Sequence, residues 1–121
     1  MIEVKMHGIS NCDSIKKAKT WLHDADIEFS FRDYKKNPPS LIEVQAWAQQ
    51  VGWEQLLNKR GTTWRKLPEV VQNNVNQTNV CGLLLEQPSM IKRPLLVIED
   101  EQQIQVVMGF KPQQYANIFK L

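Results

Sequence analysis

A cysteine at position 12 stands where a short apolar strand gives way to good helix formers, in Met6-His7-Gly8-Ile9-Ser10-Asn11-Cys12-Asp13-Ser14-Ile15-Lys16-Lys17-Ala18. The orphan N–H groups and positive dipole end of a helix start favour an anion, and the thiolate is the form of cysteine that attacks. An exposed dipole contact is worth about 0.3–1 kcal/mol, under one pKa unit, so bringing a thiol from about 8.5 to below neutrality takes further positive charge. Lys16, one helical turn on, shares a face with Cys12, whereas the carboxylate of Asp13 opposes the thiolate. Further cations would have to converge on the sulfur from elsewhere in the chain. The competing reading of Cys12 is a small apolar residue at a helix start.

The other candidates favour plainer readings. Cys81 lies in the apolar helical run Asn79-Val80-Cys81-Gly82-Leu83-Leu84-Leu85, which suits a buried, inert thiol better than a resolving one. Trp21, Trp47, Trp53 and Trp64 read as core or inter-helix packing, with Trp64 near enough to Arg60 in sequence to wall a site. The cluster Lys59-Arg60 and Arg65-Lys66 lacks the broad basic surface and interleaved exposed aromatics of a nucleic-acid binder.

The elements that must position Cys12 follow from periodicity. Ile2, Val4 and Met6 alternate with Glu3, Lys5 and His7, a first strand ended by Gly8. A helix follows over 13–25, with Ile15, Ala18, Trp21 and Leu22 as its apolar stripe. The alternation at 27–32 predicts a second strand, and Asn37-Pro38-Pro39-Ser40 breaks the chain before a helix over 41–51 that Ser40 can cap. Interrupted helical segments are expected at 53–58, 68–74 and 79–86, then strands at 93–98 and 104–108 around a turn at Glu99-Asp100-Glu101. A terminal helix opens at Pro112.

A β-α-β half, a helical insertion at about 40–90 and a β-β-α half predict one α/β domain over 1–121. Its four-stranded sheet should be mixed, with a parallel pair from the first half and a hairpin from the second. Thioredoxin-like folds have this order of elements, with the active thiol in the turn after the first strand. The chain has 121 residues, a formal net charge of +2 and two cysteines, which fits one domain and is too few thiols for a disulfide scaffold. No apolar run reaches transmembrane length and the N-terminus reads as a charged strand, so a cytoplasmic protein without membrane or nucleic-acid partners is expected.

Four segments carry a resemblance to a known family: Gly8-Ile9-Ser10-Asn11-Cys12-Asp13-Ser14-Ile15-Lys16-Lys17-Ala18, Leu57-Asn58-Lys59-Arg60-Gly61-Thr62-Thr63-Trp64-Arg65, Ile91-Lys92-Arg93-Pro94-Leu95-Leu96 and Met108-Gly109-Phe110. The chain resembles the arsenate reductase (ArsC) and Spx family, nearest its YffB-like branch, over essentially its whole length. The resemblance implies a thioredoxin-like fold with a helical insertion and Cys12 as nucleophile. It further implies Arg60 and Arg93 as anion-binding residues and a cis bond before Pro94; Arg60, Arg93, Pro94, Asn11 and Lys92 are the expected anion- and substrate-binding set. Two arginines beside Cys12 make chemical sense, since a guanidinium is a permanently charged planar fork suited to carboxylates and oxyanions.

Three positions depart from the family. Ile15 stands where Spx-type members carry a second cysteine, so there is no Cys-x-x-Cys switch. Phe110 follows Gly109 where arsenate reductases place a third anion-binding arginine, with Lys111 one residue on. Gly8 takes the place of a histidine, and His7, one step off, should point to the other side of the strand, which makes His7 and His23 ordinary strand or surface residues rather than bases. A monothiol site needs an external reductant. The expectation is a glutathione-dependent thiol oxidoreductase with no bound cofactor, in which the carboxylates of glutathione pair with Arg60, Arg93 or Lys92 and its sulfur meets Cys12. Glutathione or a small thiol or oxyanion is the expected substrate, a glutaredoxin a candidate partner, and a monomer the expected state. The alternatives are an arsenate reductase and an Spx-like regulator that binds RNA polymerase.

Overall fold

The structure is a computed structural model describing residues 2–10 and 12–121. Strand β1 (Glu3–Gly8) buries Val4 and Met6 while Glu3 and Lys5 stay exposed, as their alternation predicts. Helix α1 (Asp13–Asp24) follows and buries Ile15, Ala18 and Leu22. Strand β2 (Ser30–Asp33) then pairs parallel to β1. It begins later than the sequence suggests: Ile27 and Phe29 already pack beside α1, but the ladder starts only where Ser30 meets Lys5.

A helical segment comes next: α2 (Leu41–Val51), α3 (Trp53–Leu56), α4 (Thr62–Arg65), α5 (Glu69–Asn73), α6 (Val80–Glu86) and a 3-10 turn at Pro88–Met90. Strands β3 (Leu95–Glu99) and β4 (Ile104–Met108) form an antiparallel hairpin, and α7 (Pro112–Phe119) ends the chain. Because β3 also pairs antiparallel with β1, the sheet order is β2-β1-β3-β4, a mixed four-stranded sheet in a thioredoxin-like α/β fold. The one-turn helix α4 and the 3-10 turn are too short to carry a periodic signal and are not foreseen from sequence.

The sheet separates two cores. Leu96, Ile98, Met6 and Val107 face α1 and α7, packing on Ile15, Leu22 and Tyr115. Leu95 and Val97, offset by one residue, face the helical segment and pack with Val44, Trp47, Leu84 and Ile91. Full burial of each such side chain is worth about 1.5–3 kcal/mol, so both faces of β3 hold the sandwich together.

Side-chain clamps fix the helical layer to the sheet. Ser40 Oγ accepts the Glu43 N–H at 3.2 Å and Glu43 Oε1 accepts the Ser40 N–H at 3.0 Å, a reciprocal cap at the start of α2. The same carboxylate pairs with Arg32 of β2, whose guanidinium also donates to the carbonyls of Asn37 and Pro38 at 2.9 Å. At the far edge the Gln50 amide of α2 donates to Ile104 O and accepts the Val106 N–H, covering the open side of β4. Among the described residues, no helix is long and apolar enough to cross a membrane.

Candidate functional site

The chain turns out of β1 at Gly8, and α1 packs directly against that point. A Cβ at position 8 would lie 2.6 Å from Ile15 Cδ1 and 3.3 Å from Ile15 Cγ1, so glycine is what lets the helix approach. Cys12 then occupies the N-cap of α1 in an extended conformation (φ −110°, ψ 132°), its carbonyl accepting the Lys16 N–H at 3.0 Å. It is half-buried against the core between α1, α7 and the sheet.

Burial is the largest single influence on the Cys12 thiol and opposes its ionisation. The N–H groups of Ile15 and Ser14 and the guanidinium of Arg93 together outweigh it, holding the thiol below its ordinary value. The Cys12 side chain makes no capping hydrogen bond of full geometry with the start of α1. Lys16 and Asp13, which share the helix start, are not among the groups that shift the sulfur.

Arg93 reaches the sulfur from the segment before β3. Its Nη1 donates to Ser89 O at 2.8 Å, and its Cδ would touch a Cβ on Gly8 at 3.7 Å, which places the side chain over the end of β1. The Arg93–Pro94 peptide is cis and Pro94 is buried. Pro94 O accepts the Gly109 N–H at 2.9 Å, tying the entry of β3 to the exit of β4, where Gly109 takes φ +74°, a region that favours glycine. Phe110 follows, half-buried, with its ring edge-on to Tyr115 at a centroid distance of 4.9 Å.

The Arg60 segment is held beside the Arg93 segment by main-chain bonds. Leu57 bridges Ile91, the Asn58 N–H donates to Met90 O at 2.8 Å, and the Lys92 N–H donates to Leu56 O at 2.8 Å. Arg60 itself is exposed; its N–H donates to Asn58 Oδ1 at 3.0 Å, and its guanidinium has no partner among the described residues. It is not among the groups acting on Cys12, so the structure brings Arg93 to the thiol and leaves Arg60 open to solvent nearby in the fold. Lys92 is likewise exposed, and Lys59 sits over the Trp64 ring at 5.4 Å. Asn11 lies outside the described residues.

The remaining candidates fall elsewhere. Cys81 is half-buried on α6, and burial pushes its thiol up. His7 is 5% exposed, packed beneath α2 with its ring centroid 5.1 Å from Trp47, on the sheet face opposite the Cys12 core. Burial first, then the charges of Arg32 and Lys5, lower its pKa to about 4 against the opposing pull of Glu43, so it is a neutral packing residue at pH 7. His23 is exposed beside Asp24. The described residues contain no group of three metal-ligating side chains. Sequence reading missed Thr63 and Ser89, whose hydroxyl oxygens lie 2.9 Å apart behind Arg93. Two hydroxyls 26 positions apart leave no local signal.

Residues 7–118 match the ArsC family. A solved structure of an arsenate reductase (ArsC) related protein from Brucella melitensis is 47% identical, with a TM-score of 0.74 over 98% of this chain and 96% of that one. The structure of a YFFB (PA3664) protein is 38% identical, with a TM-score of 0.84 over 94% of this chain and 96% of that one. A protein of Haemophilus influenzae is 38% identical over 96% of this chain and 98% of its own length. The global transcriptional regulator Spx 1 of Oceanobacillus iheyensis is 27% identical over 85% of this chain and 78% of its own length.

Proposed function

The chain belongs to the ArsC family, and we propose that within it this protein is a glutathione-dependent thiol oxidoreductase with a single nucleophilic cysteine. The observation that carries the reading is the placement of Cys12 at the start of α1 with Arg93 beside it and no second cysteine one turn on. In the proposed cycle the Cys12 thiolate attacks a sulfur of a glutathione mixed disulfide. A bond forms to the glutathione sulfur, the substrate leaves as a thiolate, and solvent protonates it. A free glutathione thiolate then attacks the sulfur of the bound glutathione, releasing glutathione disulfide and restoring the Cys12 thiolate, so one free glutathione is consumed per mixed disulfide reduced and the other half of the glutathione disulfide comes from the substrate.

The free guanidinium of Arg60 and the ammonium of Lys92 suit the carboxylates of the tripeptide, while Arg93 stays with the sulfur. Two other readings draw on relatives. Arsenate reduction is favoured by the likeness to the Brucella protein, but the half-buried ring of Phe110 stands where a third oxyanion arginine is expected. A regulator of the Spx kind is favoured by the 27% identical relative, but Ile15 precludes a Cys-x-x-Cys switch.

The deciding experiment incubates the protein with oxidised glutathione and, separately, with arsenate and reductant, following intact mass and reductant consumption in wild type and Cys12→Ser. The proposal expects a glutathione adduct on Cys12 that free glutathione resolves and that Cys12→Ser abolishes. Robust arsenate turnover without glutathionylation would transfer the assignment to arsenate reduction. Neither activity, together with co-purification of RNA polymerase, would transfer it to a regulator.

A further inference from the structure

The guanidinium that serves Cys12 is itself held from behind. Arg93 Nη1 donates to the carbonyl of Ser89, in the 3-10 turn at Pro88–Met90, at 2.8 Å. The hydroxyl of that same Ser89 meets the hydroxyl of Thr63 at 2.9 Å, in partly buried surroundings where the exchange for water is unfavourable. Thr63 lies on the single turn of α4, which begins at Thr62 immediately after Arg60 and Gly61. A 3-10 turn of three residues and a helix of four have little rigidity of their own, so a side-chain tie between them adds to the main-chain bonds at Met90 and Lys92 in restraining the turn that carries the Ser89 carbonyl.

We propose that the Thr63–Ser89 hydroxyl pair is a positioning device that fixes the Ser89 carbonyl and thereby holds the Arg93 guanidinium over Cys12. Thr63 and Ser89 touch neither the sulfur nor any substrate; they act through Arg93. The inference rests on the reading of Cys12 as the working thiol, but not on glutathione as its partner. The geometry also rules on which atoms matter. Removing the Ser89 hydroxyl leaves the carbonyl that Arg93 uses in place, so any effect on Cys12 must pass through loss of the tie to Thr63. Conversely, a hydroxyl of any γ-carbon chemistry at position 63 should suffice.

The test is the pH dependence of Cys12 alkylation by iodoacetamide, read by peptide mass so that Cys81 is scored separately, in wild type, Thr63→Val, Ser89→Ala, Thr63→Ser, Arg93→Ala and the Thr63→Val/Arg93→Ala double variant. Losing Arg93 should cut the thiolate population below the midpoint by about tenfold, and freeing it from its tether should forfeit part of that, about threefold. Thr63→Val and Ser89→Ala are expected to move the midpoint upward by the same amount, Thr63→Ser to restore it, and Thr63→Val to add nothing once Arg93 is gone. Thermal melts accompany each variant; if Thr63→Val is poorly folded, Ser89→Ala breaks the same contact from the other side. If Arg93→Ala moves the midpoint but Thr63→Val and Ser89→Ala do not, the positioning device is refuted while the thiol site stands. If Arg93→Ala itself has no effect, both fall. A Thr63→Val shift that persists in the Arg93→Ala background would also overturn the proposal, since it would not run through Arg93.

Discussion

Arg93→Ala should raise the Cys12 midpoint more than Arg60→Ala does, although the sequence offers the two arginines as equivalent. The structure separates them: Arg93 lies over the end of β1 within reach of the sulfur, while Arg60 is exposed and absent from the groups that act on it. A hydrogen bond to a charged group is worth about 1.5–3 kcal/mol. One arm of the guanidinium is already committed to Ser89 O, and Cys12 is only half-buried, so the low end of that range applies. About 1.4 kcal/mol corresponds to one pH unit, or tenfold in thiolate fraction below the midpoint. For Arg60, a longer solvent-screened separation leaves a few tenths of a unit at most. The assay is site-resolved alkylation against pH at low and high salt. Part of the Arg93 effect should survive high salt because that contact is partly buried, whereas any Arg60 effect should vanish. Equal shifts from the two substitutions, or a larger one from Arg60→Ala, would refute the placement of Arg93 as the thiol's cation.

Three further outcomes follow from particular contacts. Phe110→Arg should raise arsenate turnover by roughly ten- to hundredfold, the worth of one charge-assisted contact, while losing stability as the edge-on packing with Tyr115 is removed; a coupled arsenate assay and a thermal melt read both. Acid should weaken the fold through His7: its folded pKa is about 4 against 6.5 when free, so the unfolded chain binds more protons in that window, and stability that is full above pH 6.5 is lost as pH falls toward 4. By pH 5 this reaches about 2 kcal/mol, and urea melts of His7→Leu should lose the slope between pH 6.5 and 5. Gly8→Ala should destabilise by about 1–3 kcal/mol through the clash with Ile15, and combining it with Ile15→Val, which removes the offending Cδ1, should cost less than the sum of the two; strict additivity in urea melts would show that position 8 has room.

The frame of this site is readable in the residues, and the reason is local. Val4 and Met6 alternate cleanly, Ser40 and Glu43 advertise a cap, and Ile104 to Met108 sits between turn signals, so β1, α2 and β4 emerge with their observed bounds or close to them. The start of β2 is misjudged because Ile27 and Phe29 are apolar for a different purpose, packing beside α1 before any ladder forms. Helix α4 escapes because four residues carrying two threonines have no period to detect. Position along the chain also cannot say which arginine meets the thiol. That depends on the Leu57–Ile91 bridge and on the direction of two side chains, both of them long-range facts.

Two of the departures from the family pattern turn out to be one packing event. Gly8 stands in place of a histidine and Ile15 in place of a second cysteine, and from sequence these are independent losses. In the structure they meet: a Cβ at position 8 would lie 2.6 Å from Ile15 Cδ1, and Ile15 is fully buried. The isoleucine that stands where the family pattern has a second cysteine therefore also crowds the end of β1, and its side chain packs in the core between α1 and the sheet. Among the described residues, the groups that favour the anionic sulfur are the Arg93 guanidinium and the N–H groups of Ser14 and Ile15, all of them hydrogen-bond donors. Such a site favours a partner that arrives already as an anion or a disulfide, which suits the external thiol proposed above as the resolving agent.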